Sequence, residues 1–347
     1  MASIASFPAF VGFDYHQASI QVCVLDAHGG VLGNRSLPND VAAVREYVER
    51  VAEGRPITGG GIEACCGSAN FAERLRELGW DVSLAHAGTC AKMKQNPDKT
   101  DFSDARLLAD LCRVGYLPRV WLPPPEIRDL RRLVRYRTQL TQQRRDLKLR
   151  IGAMLREERI VPSPEVGNTW TKSWFNWLRA TPALGSHSRW VMDRHLQGLE
   201  RILVEIKDVE QRLEQATADD AITQRLLLQK GVGLVTAVTM RAEIGSFTRF
   251  QSGKQLSRYC AVTPKNASSG KRQADAGLIK AGNLPLRTLL IETAHRIARY
   301  EPKWQALKQK LKQAKKPGGV IAAAIANRWV RQLFWQMQPT PLNLSAA

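Results

Sequence analysis

Apolar and polar positions recur with short strand-like runs in the first third of the chain and with helical spacing in the rest. Ala9 to Asp14 is a short apolar run that ends in an acid. Ser19 to Asp26 (SIQVCVLD) alternates and is β-branched, which predicts a half-buried strand. AHGG at 27–30 reads as a hairpin turn, and Val31 to Leu37 returns from it. Val41 to Val51 has helical spacing, and Ile57 to Glu63 is a Gly-rich strand that again ends in an acid. Asn70 to Leu78 reads as helix and Trp80 to Ala85 as strand. Thr100 is placed to cap a helix from Asp101 to Val114, with Asp101 in its first turn. This β-β-β-α-β-α-β-α order predicts an α/β domain with a mixed sheet, compatible with a ribonuclease-H-like fold.

WLPPPE (121–126) marks a boundary, because three prolines cannot sit in a helix interior. Beyond it, Ile127 to Arg159 carries an irregular apolar stripe through Leu130, Val134, Leu140, Leu147, Ile151 and Met154. Pro162 and Pro164 end that helix. Trp170, Trp174 and Trp177 follow at spacings of four and three, one face of a short helix, and favour packing over base stacking. Ser188 to Gln215 is a second long amphipathic helix. Two such helices predict a helical hairpin or coiled-coil arm, a common dimerisation device. The last third begins near Ala221 with helix, Gly231-Val-Gly233 turn and helix. Residues 262–285 lack a period and read as a loop region. Helices from Leu286 to Arg299, Lys303 to Lys316 and Val320 to Gln338 complete the chain. The predicted organisation is therefore three parts: 1–122, 123–220 and 221–347.

Composition adds little until the charge is divided. The 347 residues carry 51 Lys plus Arg against 32 Asp plus Glu, net +19. Residues 1–118 are net −3, 119–160 net +7, 161–264 net +3, and 265–347 net +12. An acid-leaning module joined to basic ones suggests a metal-holding catalytic part beside polyphosphate-binding surfaces. A solvated helix face is the plainer reading for a single charge run, and a weaker one for a +12 segment. The longest apolar run, Val320 to Ala326, is far short of the roughly 20 residues of a membrane span. The first residues show no basic secretory n-region. Six cysteines without a CxxC pair exclude a disulfide scaffold and a zinc ribbon, and fit reduced thiols in the cytoplasm.

Four acids stand out by position. Asp14 and Glu63 end strands, and Asp101 and Asp104 lie three apart at a helix start. Converging carboxylates repel unless a cation neutralises them, and Mg²⁺ is the expected hard ion. Two such ions suit an in-line phosphoryl displacement. Taken singly, Asp14 could start a turn and Asp101 could answer the helix dipole. Lys92, Lys94 and Lys99 fit phosphate contacts or a solvated lysine loop equally well. Gly231 and Gly233, with Lys230 before them, allow backbone N–H groups to face a phosphate, as in a helix-hairpin-helix, or form an ordinary interhelical turn. Ser268-Ser269-Gly270-Lys271-Arg272 is a basic loop whose serine is a phosphate donor, a nucleophile or filler.

Three segments, VGFDYHQASIQVCVLD (11–26), GIEACCGSANFAERLRELGWDVSLAH (61–86) and KTDFSDARLLADLCR (99–113), resemble the amino-terminal DEDD domain of 110-type insertion-sequence transposases. QKGVGLVTAVTMRAEIGSFTRFQSGKQLSRYCAVTP (229–264), the SSG triplet (268–270) and IKAGNLPLRTLL (279–290) resemble that family's carboxy-terminal domain. The resemblance implies a RuvC-like nuclease domain, a coiled-coil segment and a small helical transposase domain bearing a catalytic serine. It implies a site-specific DNA recombinase guided by a noncoding bridge or seek RNA that pairs with donor and target DNA. Carried over, Asp14, Glu63, Asp101 and Asp104 hold Mg²⁺. Ser269, with Ser268 as the adjacent candidate, forms a phosphoserine–DNA link. From the residues themselves, Lys99, Lys230, Gly231, Gly233, Lys271, Arg272 and Lys280 are expected to contact nucleic acid. The family's active unit is a dimer of dimers with composite sites, working at the nucleoid of the bacterial cytoplasm. Two departures stand: Lys230 replaces the family's usual Pro before the first Gly, and the Trp-rich insertion at 160–186 has no counterpart. The competing expectations are a metal-only nuclease such as a Holliday-junction resolvase, and an inert nucleic-acid-binding protein of a domesticated element.

Overall fold

The computed structural model describes residues 7–94, 100–266 and 275–339. The chain divides into two compact units, Met1–Pro123 and Pro124–Ala347.

The first unit is built on a six-stranded mixed sheet of order β3-β2-β1-β4-β5-β6. Its strands are β1 (Ala9–Tyr15), β2 (Ser19–Leu25), β3 (Val31–Pro38), β4 (Ile57–Glu63), β5 (Val82–Ala85) and β6 (Arg119–Val120). β1, β2 and β3 form an antiparallel meander, whereas β4 runs parallel to β1 and β5 parallel to β4. The β2–β3 turn uses Gly29 at φ 88°, and Asp26 accepts from the N–H groups of His28 and Gly30.

Strand alternation sorts side chains between two faces. Val11, Phe13, Val22, Val24 and Ile62 point to one face and pack with α1 (Val41–Ala52) and α2 (Ser68–Glu77). Cys23 and Leu25 point to the other and meet Ala105 and Ala109 of α4 (Asp101–Arg113). A further helix, α3 (Ala87–Met93), which periodicity did not reveal, precedes α4. α4 lies directly on the strand backbones because two glycines leave room. A Cβ on Gly12 would stand 1.9 Å from the Ala105 carbonyl oxygen, and one on Gly61 3.0 Å from that of Leu108.

In the second unit α5 (Pro125–Glu157) and α7 (Ser186–Ala216) are the long helices. Val134 and Leu140 of α5 pack with Ile202, Ile206, Val209 and Leu213 of α7, whereas Ile151 and Leu155 pack with Met192, Leu196 and Leu199. That crossing over of early with late makes the pair antiparallel, so the apolar stripes are buried within one chain. The three prolines behave as expected, with Pro125 at the first helical position and the others outside.

The tryptophan segment departs from the expected single helix face. Trp170 precedes α6 (Lys172–Ala180) at φ 69°, yet its ring lies 4.6 Å from that of Trp174. Trp174 is 2% exposed and belongs to the core closing the end of the α5–α7 pair.

The remaining helices are α8 (Ala221–Leu227), α9 (Leu234–Ile244), α10 (Gly253–Tyr259), α11 (Leu284–Tyr300), α12 (Pro302–Gln313) and α13 (Gly318–Gln336). They share one core around Met240, Leu286, Leu290, Ile325, Trp329 and Leu333. Residues 262–285 are not loop throughout: β7 (Pro264–Asn266) pairs antiparallel with β8 (Asp275–Leu278). Three- and four-residue strands are too short to show an apolar period. No described helix is long and apolar enough to cross a membrane.

Candidate metal and nucleic-acid site

Asp14 is two residues beyond Gly12 on β1, so alternation turns its side chain to the α4 face. Glu63 is two residues beyond Gly61 on β4 and faces the same way. Ile62 is the register partner of Phe13, which sets Glu63 level with Asp14 on the neighbouring strand. Each acid thus follows a glycine that admits the helix, and the helix starts over the acids. Thr100 fixes that start: it forms a reciprocal capping box with Ser103, leaving Asp101 and Asp104 in the first turn. Asn34 of β3 donates to the Phe102 carbonyl at 3.0 Å and ties this turn to the sheet.

The side chains meet as follows. His16 Nε2 lies 3.2 Å from Asp14 Oδ2 and 3.5 Å from Asp101 Oδ2. One ligand atom each from Asp14, His16 and Asp101 fall within 4.8 Å of one another. Asp104 is buried, and Lys94 Nζ donates to its Oδ2 at 2.6 Å. Burial pushes the Asp14 carboxyl above its ordinary range, and the nearby charges of Asp101 and Asp104 push the same way against His16. Glu63 stands beside this group by register without joining the compact trio.

The donor set suits a hard divalent cation. Carboxylate oxygens predominate, an imidazole nitrogen stands 3.2 Å from one of them, and the charges of Asp101 and Asp104 add to burial in raising the Asp14 carboxyl. Asp101, exposed, and Asp14, half-buried, leave one side open to substrate.

Sequence reasoning missed His16 and misread Lys94. His16 directly follows β1, two residues after Asp14, and that nearness to a strand-end acid was the available signal. Lys94 is engaged with Asp104 instead of being held out for phosphate. Among the other expected residues, Lys99, Ser268, Ser269, Lys271 and Arg272 lie outside the described residues. Lys230 and Lys280 are exposed. Gly231 adopts φ 81°, and a Cβ there would meet Ile297 Cγ2 of α11 at 2.9 Å, so this glycine serves packing in its own right. Gly233 caps α9 in open space.

A DEDD-type transposase family model matches residues 11–160, which span every acid named above. A second, described as Transposase IS116/IS110/IS902 family, matches residues 223–309. The chain belongs to this transposase family. A "Probable family 20 transposase" of Pseudomonas aeruginosa is 28% identical to it over 338 residues, 93% of this chain and 95% of the relative. The "Transposase for insertion sequence element IS1111A" of Coxiella burnetii is 26% identical over 297 residues, 84% of this chain and 78% of the relative. The DNA-processing role of an insertion-sequence transposase therefore attaches to an α/β unit with clustered acids and a basic helical unit.

Proposed function

We propose that this transposase cuts and rejoins DNA strands, using Mg²⁺ held by Asp14, Glu63, Asp101 and Asp104 together with Ser269 as nucleophile. The convergence of Asp14, His16 and Asp101 under the first turn of α4 carries the reading. Bound Mg²⁺ would supply positive charge to the oxygens of a reacting phosphodiester. The chain's own contribution is placement. β1 and β4 hold two carboxylates level, Gly12 and Gly61 admit α4, and Thr100 sets the turn bearing the other two. Ser269 attack on phosphorus forms an Oγ–P bond, breaks a P–O bond of the strand and keeps the phosphodiester energy for rejoining. The three-strand meander followed by strands parallel to β1 supports a RuvC-like reading of the first unit.

Guidance by a noncoding RNA, action on donor and target DNA, and assembly as a dimer of dimers in the bacterial cytoplasm complete the proposal. Family membership supports action on DNA, and the concentration of positive charge after residue 118 suits polyphosphate partners. The α5–α7 pair buries its apolar stripes internally, so a dimer would use its outer faces, where Leu203 and Val204 are exposed.

Covalent trapping tests the chemistry. Wild-type protein with recombination-site DNA, its cognate RNA and Mg²⁺ should leave DNA attached after denaturation, and Ser269→Ala should not. Cleavage that survives Ser269→Ala with no adduct would make the protein a metal-only nuclease.

A further inference from the structure

The carboxy-terminal part, residues 221–347, carries more cations than the serine loop and the hairpin turn explain. Their placement is uneven. A groove of about 950 Å³ lies wholly within the second unit, between α10, α13 and the β7–β8 stem. Five cations line it: Lys254 and Arg258 from α10, Lys316, and Arg328 and Arg331 from α13. Among the described side chains no acid lines it, and none of the five is ion-paired to a carboxylate. The sequences of α10, α12 and α13 contain no Asp or Glu at all.

The floor is apolar. Val320, Ala323 and Ala324 come from α13, opposite Val262 and Leu278. Val320 is 51% exposed although it sits in a concave surface. Positions 320, 324, 328 and 331 share one face of α13, and Trp335 continues it one turn beyond Arg331. Trp335 is 70% exposed, its ring steadied by edge contact with Phe334 at 5.0 Å.

Phosphates would satisfy the rim, but a duplex keeps its bases stacked inside and would leave the floor and Trp335 facing water. An unpaired strand offers phosphates and free bases together. A cationic groove with an aromatic platform is the physical arrangement that grips such a strand without reading its sequence. We propose that the α10–α13 groove binds a single-stranded polynucleotide, with phosphates on Arg258, Arg328 and Arg331 and a base stacked on Trp335. The inference stands on the groove's own chemistry and needs neither the carboxylates nor Ser269.

Fluorescence anisotropy on the full chain tests it, with labelled oligothymidylate, oligouridylate and a duplex, each of about 12 nucleotides or base pairs. Arg258→Gln/Arg331→Gln should weaken single-strand binding at least about ten-fold and flatten the log–log salt slope by about 1.4. Trp335→Ala should weaken it roughly ten-fold at unchanged salt slope, and Trp335→Phe should restore most of the loss. Arg201→Gln/Lys207→Gln removes equal charge from α7 and should change binding less than about two-fold. The stronger-binding single strand, DNA or RNA, identifies the source of the occupant. Groove variants that bind like wild type, an equal loss in the α7 control, or an equal loss on the duplex would overturn the proposal. Ser269→Ala should bind as wild type does, so failure of the serine chemistry would leave this result standing.

Discussion

Gly12→Ala is the smallest change that should dismantle the site. The added Cβ would stand 1.9 Å from the Ala105 carbonyl oxygen and 2.5 Å from the Ala109 nitrogen, both backbone atoms of α4. Neither can rotate away, and real contacts essentially never fall under 3.0 Å, so helix and strand must part by about 1 Å or more. Overpacking of this kind costs about 1–3 kcal/mol, and two backbone clashes place it near 3. For a unit of this size that lowers the melting temperature by on the order of 10 °C. The same shift lifts Asp101 away from Asp14, and a misplacement of about 1 Å costs about 100-fold in rate. Calorimetry with a strand-cleavage assay checks both effects, with Gly185→Ala as control because nothing lies within 4 Å of a Cβ there. Wild-type stability and cleavage in Gly12→Ala would refute the account of how α4 is positioned.

Other expectations follow from single contacts. Lys94→Met strips the buried Asp104 carboxylate of its ammonium, and should cost roughly 3 kcal/mol in chelator, read by urea denaturation, with much of it regained on adding Mg²⁺. Glu243→Gln leaves Arg131 and Arg135 facing a neutral buried amide, so the second unit should lose about 3 kcal/mol by the same measurement. Burial works to raise Asp220, but hydrogen bonds from Thr223 and Arg241 outweigh it and hold its carboxyl below the ordinary range. Its contribution is therefore complete above the unfolded value of about 3.9 and lost as pH falls through the lower folded value. Asp220→Asn should cost about 1–2 kcal/mol at neutral pH and flatten the acid limb of the stability curve.

Much of the fold was legible because one physical rule sufficed locally. A short apolar run marks β1, β-branched alternation marks β2, the Thr100 cap marks the start of α4, and the prolines at 123–125 mark the break between units. What escaped depends on contacts between distant segments. Gly12 and Gly61 look like ordinary small residues until α4 lies on them, and they explain why the acids meet. His16 follows a strand end and looks like loop. Lys94 has the composition of a phosphate contact, and only the fold shows that Asp104 takes its charge. Trp170 has helical spacing to Trp174 yet packs against it at a tilt from outside the helix, because a left-handed backbone turn delivers the ring instead. The β7–β8 stem was hidden in a polar stretch whose strands are shorter than any period.

The division of labour between an acid-bearing unit and basic helices is the central claim, and one variant tests it directly. Asp101→Asn/Asp104→Asn should be assayed for DNA cleavage and for nucleic-acid binding in the same preparation with Mg²⁺. The account predicts cleavage reduced by at least about 1,000-fold, consistent with loss of a metal-assisted step, and binding within about two-fold of wild type. Cleavage at the wild-type rate would contradict it.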